Sequence, residues 1–178
     1  ICNNIMLMDE GFPKYEGTDV SKAIDLYYTR FASNDYKIVF TDETINLEKI
    51  EIPDKPLVAH MAQINWNEDF DLTLSINTKR DKLPKVMVSI FDKEQRPGAL
   101  INPSDVDTKV NSNKIEFIFS LKKIQLSKGV YNINVAFANA TTNEPILRIN
   151  SILSFQIIHD KDTWPPLLID AVTGFKEL

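Results

Sequence analysis

From residue 36 onward, apolar and polar side chains alternate with a period of two, the pattern of strands that bury one face. Tyr36, Ile38 and Phe40 alternate, as do Ile50 and Ile52 ahead of Pro53-Asp54. Leu72, Leu74 and Ile76 stand against Asp71, Thr73, Ser75 and Asn77, and Val86, Val88 and Ile90 against Met87, Ser89 and Phe91. Ile115, Phe117, Phe119 and Leu121 follow, then Tyr131, Ile133, Val135 and Phe137 against Asn132, Asn134 and Ala136. A last run over 146–158 places Leu147, Ile149, Leu153, Phe155 and Ile157 on one side. Polar punctuation separates the runs at 92–98, 127–129 and 141–145. Many short strands with turns between them and no long helix predict an all-β fold, an antiparallel β-sandwich of jelly-roll or immunoglobulin-like type over 36–160.

The first thirty residues read differently. Ile5, Leu7 and Met8 predict a short strand, Asp9-Glu10-Gly11 a turn and Lys14-Tyr15-Glu16-Gly17 a second one. Thr18 or Asp19 then caps a helix whose apolar positions, Val20, Ala23, Ile24, Tyr27 and Phe31, recur at spacings of three and four. This strand–turn–strand–helix segment is too small to stand alone. The chain therefore divides into 1–33, a sandwich over 36–160, and a tail over 161–178.

Composition narrows the function classes. The 178 residues carry 20 Lys and Arg against 25 Asp and Glu, a net charge of −5. That balance argues against nucleic acid as the main partner, since a nucleic-acid site needs a basic face. The single cysteine, Cys2, allows no internal disulfide. No membrane-length apolar run and no basic-then-apolar leader is visible, so a cytoplasmic location is expected. An initial Ile in place of Met suggests a piece of a longer chain. Five glycines leave no room for a Gly-rich phosphate loop.

Catalytic and metal-binding patterns are scarce. His60 and His159 have no Cys, His or carboxylate at ligand spacing. Asn102, Ser104, Asp105 and Asp107 form an oxygen-rich loop but lack the glycine and distal Glu of a calcium loop. No G-x-S-x-G is present, and Cys2 has no evident base. Glu68, Asp69 and Asp71 are adjacent acids; a glycosidase would need two carboxylates facing one cleft. No cofactor and no enzymatic role is expected.

A surface remains. The polar positions of four strands, Thr73, Ser75 and Asn77, Ser89 with Phe91, Asn132 and Asn134, and Ser154 with Gln156, lie opposite the core by alternation. Amides and hydroxyls pair donors with acceptors without net charge, which suits sugar hydroxyls. Phe91 or Trp66 offers an apolar platform for the C–H face of a sugar ring. A plain solvated sheet face, which normally carries more Lys and Glu, is the competing reading.

Five stretches point further. ICNNIMLMDEGFPKYEGTDVSKAIDLYYTRF, with Cys2, Gly11, Gly17, Ile24 and Tyr28 in place, resembles the closing segment of an ABC-transporter ATPase domain. QINWNEDFDLTLSINTK, VMVSIFDKEQRPG, LSKGVYNINVAF and ILSFQI resemble the C-terminal domain of Wzt-type subunits, the ATPases that export O-antigen and related polysaccharides. The resemblance implies a non-catalytic domain that recognises the exported polysaccharide from the cytoplasmic side, works beside a transmembrane permease subunit, and forms a homodimer. Related domains exchange a C-terminal strand between protomers. Trp164-Pro165-Pro166 with Leu167, Leu168 and Ile169 is the candidate for that element, or for a tail folded back on its own sandwich. The ATPase motifs themselves are absent, and the resemblance fixes no sugar-contacting residue. A docking module for a partner protein and a glycan-modifying enzyme using Asp69 and Asp71 are the rival readings.

Overall fold

The computed structural model describes residues 4–9, 11–19, 22, 23, 26, 27, 37–58, 60–101, 111–161, 163 and 165–171. The chain forms two compact units, Ile1–Asn34 and Asp35–Leu178. In the first, β1 (Ile5–Asp9) and β2 (Phe12–Gly17) pair as an antiparallel hairpin. Gly11 in their turn has φ 84°, a left-handed conformation that glycine adopts without steric cost. Residues 22, 23, 26 and 27 are helical. Asp19 is the cap: its Oδ1 accepts the Lys22 N–H at 3.0 Å, satisfying an otherwise orphaned amide. Cys2, Val20, Ile24, Tyr28 and Phe31 lie outside the described residues.

Among the described residues, the second unit is built from ten strands in two sheets. They are β3 (Lys37–Thr41), β4 (Ile45–Glu51), β5 (Leu57–Val58), β6 (Met61–Asn65), β7 (Phe70–Thr78), β8 (Lys85–Asp92), β9 (Pro97–Ile101), β10 (Lys114–Leu121), β11 (Gly129–Ala138) and β12 (Pro145–Ile158). One sheet has the order β10-β7-β4; the other runs β5-β6-β12-β11-β8-β9, with β3 also paired to β12. Their facing sides make one core. Leu72, Leu74 and Ile76 of β7 meet Val86, Val88, Ile90, Ile133, Val135, Phe137 and Phe155 of the larger sheet, all nearly or fully buried. Aromatic pairs lock the two layers, Phe70 with Phe155 at 5.9 Å and Phe117 with Phe137 at 6.3 Å between ring centroids. Burying each such side chain stabilises the fold by about 1.5–3 kcal/mol. The protein is an all-β sandwich, as the alternation predicts.

Lys14–Gly17, expected as a second turn, lie within β2, and four further details depart from the sequence reading. One pairing is parallel, not antiparallel: β6 lies alongside β12, with Phe155 opposite Ala62 and Ile157 opposite Ile64. Pro97 and Gly98, read as turn, begin β9; the reversal is confined to 93–96, where Asp92 Oδ1 accepts the Glu94 and Arg96 amides at 2.9 and 2.8 Å. Ile38 and Phe40, expected to face the core, are 52% and 43% exposed, because among the described residues β3 pairs only with β12 and no element of its own unit covers its sides. Finally, β12 bulges: Ile133 opposes Leu153 but Val135 opposes Ile149, so the chain between contains two additional residues. Ser151 in that bulge has φ 52°.

The tail lies on its own sandwich. Leu126 and Leu167 form an antiparallel bridge, the Leu168 amide donates to the Gln125 carbonyl at 2.9 Å, and the Ser127 amide donates to the Pro166 carbonyl at 3.0 Å. Trp66 Nε1 donates to the Leu168 carbonyl at 3.1 Å. Trp164 lies outside the described residues.

Candidate functional site

The sequence candidates divide between the two outer faces of the sandwich. Thr73, Ser75 and Asn77 lie on β7 in the three-stranded sheet; Ser89, Phe91, Asn132 and Asn134 lie on β8 and β11 in the seven-stranded sheet. They do not form one surface. Alternation along a strand tells inside from outside, but not which of two sheets the outside belongs to.

On the three-stranded sheet the candidates sit among charges. Ser75 Oγ donates to Glu116 at 3.2 Å and Asn77 Nδ2 to Glu48 at 3.4 Å. Glu48 also meets Lys114 at 3.6 Å, and Lys49 meets Glu51 at 2.6 Å. Thr73 Oγ1 lies 3.5 Å from the Glu51 carbonyl. This is a solvated sheet face whose polar side chains serve cross-strand pairs.

The seven-stranded sheet is different. Register brings Phe91, Asn132 and Ser154 into one row across β8, β11 and β12, with Ser89 beside Asn134 in the next. Ser154 Oγ donates to Asn132 Oδ1 at 2.7 Å, and Gln63 Nε2 to Gln156 Oε1 at 2.6 Å. Asn134 Oδ1 accepts the Ser151 amide at 2.7 Å, which satisfies the bulged backbone. Asn134 is accordingly buried and structural, whereas Phe91, Asn132, Ser89, Ser154 and Gln156 remain half exposed. The bulge that occupies Asn134 has no sequence signal, since Ser151 is neither Gly nor Asn.

Trp66 is not a platform. Its indole is half buried, holds the tail through Nε1, and meets the His159 ring edge-on at 4.9 Å. His159 Nδ1 accepts the Lys161 amide at 2.7 Å, and no group of three metal-ligating side chains occurs among the described residues. The loop with Asn102, Ser104, Asp105 and Asp107 lies outside them.

Two clefts open at the ends of the sandwich. The first, of about 290 Å³, runs between the 93–96 turn, the loop before β11 and the tail, with Asp92, Arg96, Ser127, Tyr131 and Pro165 on its walls. Its polar groups are committed inward. Asp92 Oδ2 meets Arg96 Nε at 2.7 Å, Ser127 Oγ donates to the Pro165 carbonyl at 2.5 Å, and Thr163 Oγ1 donates to Ser127 Oγ at 2.9 Å. Tyr131 donates its hydroxyl to the Ser127 carbonyl at 2.8 Å, closing a tyrosine corner of the kind Greek-key sandwiches use. Burial, with Asp92 and Glu94 nearby, pushes its pKa up to about 12. The second cleft, of about 200 Å³, holds Asp69 and Asp71 with Lys55 and Lys122. There the Lys123 amide bonded to Asp69 holds that carboxyl below its usual range, and beside the cleft Lys55 does the same for Glu68. Neither is poised to give a proton near neutrality.

No protein-family model matches the chain, and no curated protein matches it. Solved structures do. A Niemann-Pick type C2 protein from the Japanese carpenter ant is 12% identical, with a TM-score of 0.49 over 69% of this chain and 98% of that one. The CARDB domain of a Pyrococcus furiosus protein, in complex with di-metal ions, is 14% identical with a TM-score of 0.33, over 67% of this chain and 93% of that one. A β-glucosidase from Listeria innocua, in complex with glucose, is 14% identical with a TM-score of 0.36, over 64% of this chain but 16% of the enzyme. These likenesses carry no inference about what this chain binds.

Proposed function

We propose that the second unit is a non-catalytic glycan-recognition domain that binds a polysaccharide on the outer face of its seven-stranded sheet. The observation that carries this reading is a patch of partly exposed amide and hydroxyl side chains in two neighbouring rows, Asn132 with Ser154 beside the Phe91 ring and Gln156 with Gln63 two residues further along β12. Amides ordered by their neighbours present fixed donors and acceptors to sugar hydroxyls, and the ring packs against a sugar's C–H face. Each hydrogen bond contributes about 0.5–1.5 kcal/mol, so a shallow face of this kind binds in the micromolar to millimolar range.

On its resemblance to Wzt-type subunits, we further propose that the domain serves an O-antigen-like polysaccharide exporter, at the inner face of the membrane, beside a permease and paired with a second copy. No helix among the described residues is long and apolar enough to cross a membrane. Titration calorimetry with the source cell's own polysaccharide tests the reading. Selective binding, weakened in Asn132→Ala and Phe91→Ala while Ser75→Ala and Asn77→Ala bind as the parent, supports it. Equal affinity in all four variants removes this face as the site.

A second reading rests on β3. Ile38, Val39 and Phe40 are each 43% exposed or more, and an uncovered apolar edge strand is a template for pairing with another chain. It makes the unit a docking module for a protein. Retained partner binding without any glycan affinity distinguishes it.

A further inference from the structure

Charge is distributed unequally between the two sheets. The seven strands of the larger sheet contain a single carboxylate, Asp92, which is buried and bonded to Arg96. The same strands carry three cations, Lys37, Lys85 and Arg148. In a chain with 25 acidic and 20 basic residues this is a local reversal of sign. Lys37 and Arg148 are exposed and form no ion pair among the described residues. Arg148 lies between the buried Leu147 and Ile149, so it projects from the outer face.

Register ties these cations to the amide row. Arg148 opposes Ala136, which opposes Met87; two residues along β11 is the row of Asn134 and Ser89, and two further is that of Asn132 and Phe91. Arg148 therefore stands four residues, about 13 Å, along the same face from Asn132, the reach of a short oligosaccharide. On the other side of β12, Lys37 opposes Asn150, whose buried Oδ1 has no hydrogen-bond partner. A buried acceptor left unpaired is costly.

We propose that the polysaccharide bound on this face is acidic, with the carboxylate or phosphate oxygens of one unit meeting Arg148 and Lys37 while neighbouring units lie across Asn132 and Phe91. The inference rests on the glycan-recognition reading above. The overall negative charge does not oppose it, because beyond a Debye length of about 8 Å in physiological salt the distant carboxylates are screened. Guanidinium is the group that binds such oxygens in bidentate fashion, and an unpaired one on an otherwise carboxylate-free face has no partner to surrender.

The test is an array of purified bacterial polysaccharides probed with the full chain. Uronic-acid polymers are displayed as isolated and after carboxyl reduction to the alcohol; phosphate-bearing polymers are displayed before and after dephosphorylation. The inference expects binding to an acidic member that falls about tenfold when its charge is removed, with the carboxyl and phosphate arms showing which group is read. Arg148→Gln reproduces that fall on the native polymer and leaves binding to the neutralised one unchanged, and Arg148→Lys restores part of it. Binding to neutral and acidic forms alike, unaltered in Arg148→Gln, overturns the acidic reading and leaves glycan recognition standing. No binding to any member, with or without charge, overturns both, as does Arg148-dependent capture by anionic vesicles alone.

Discussion

The two outer faces of the sandwich are built from the same alternating strands, yet they carry opposite chemistry. On the three-stranded sheet, Glu48, Glu51 and Glu116 interleave with Lys49 and Lys114, and the hydroxyls and amides between them serve these charges. On the seven-stranded sheet carboxylates give way to neutral amides and hydroxyls that bond one another, Ser154 to Asn132 and Gln63 to Gln156, with the Phe91 ring beside Asn132 and the cations Arg148 and Lys37 further along. A charged face is kept soluble by flexible side chains whose partners are interchangeable. Ordered amides are held at defined positions by their neighbours, a prerequisite for recognition. The difference teaches that polarity alone does not mark a site; the kind of polar group and what holds it do.

The largest expected effect acts on both faces at once, through the corner they share. Tyr131 ionises at about 12 in the folded chain and near 10 when unfolded. Its contribution, about 2–3 kcal/mol, is therefore whole below pH 10 and is lost as pH rises from 10 towards 12. Urea unfolding at pH 9 and 11.5 should show that drop, and Tyr131→Phe should flatten it. An equal pH slope in the variant assigns the loss to other groups.

The faces separate with Asn134→Ala. Removing the acceptor of the Ser151 amide leaves a bulged N–H without its partner and should cost about 1–3 kcal/mol, with weaker glycan binding as a secondary result. A stability unchanged within error would show that water replaces Asn134 and that the bulge needs no side chain. By contrast, Ser75→Ala and Glu116→Ala on the charged face should each shift stability by no more than about 0.5 kcal/mol in chemical denaturation. A larger loss there would mean that its pairs are as fixed as the amides opposite.

Acid should act through the loops. The Asp42 carboxyl is raised by partial burial but lowered more by its Thr44 and Arg80 bonds, while Glu68 and Asp69 are lowered by Lys55 and the Lys123 amide. Each takes up its proton later than in the unfolded chain. Their stabilisation is therefore intact above the ordinary carboxylate values of 3.8–4.5 and declines as pH falls through and below them. Melting temperatures followed from pH 6 to 3 should fall, and Glu68→Gln should reduce the slope.

Much of the sandwich was legible because burial on one side leaves a period of two. Leu72, Leu74 and Ile76, or Val86, Val88 and Ile90, cannot be misread. β6 was not legible, being five residues long with Met61, Ala62 and Ile64 all buried and no alternation to show. Ile38 and Phe40 alternate as core residues do, and only the pairing of β3 reveals that nothing among the described residues of this unit covers them. Of the candidate site, the residue types were readable and the grouping was not. Thr73 and Ser89 look alike along the chain, and sheet membership depends on long-range pairing. Arg148 and Lys37 carry no local signal at all, since their interest lies in the carboxylates missing from neighbouring strands.

The position of β12 has a consequence in time. That strand is the hub of the larger sheet, pairing with β11, β3 and β6, and it is the last strand of the sandwich to leave the ribosome. Its parallel partner β6 lies some ninety residues earlier, Phe155 opposite Ala62. Strands β11, β8 and β9 can pair without it, but β3 and the β5–β6 pair cannot join the sheet until β12 has emerged, so the sheet cannot be completed progressively. Folding of this unit should therefore be a late, single event in translation, and chains stalled before β12 should be prey for proteases and chaperones.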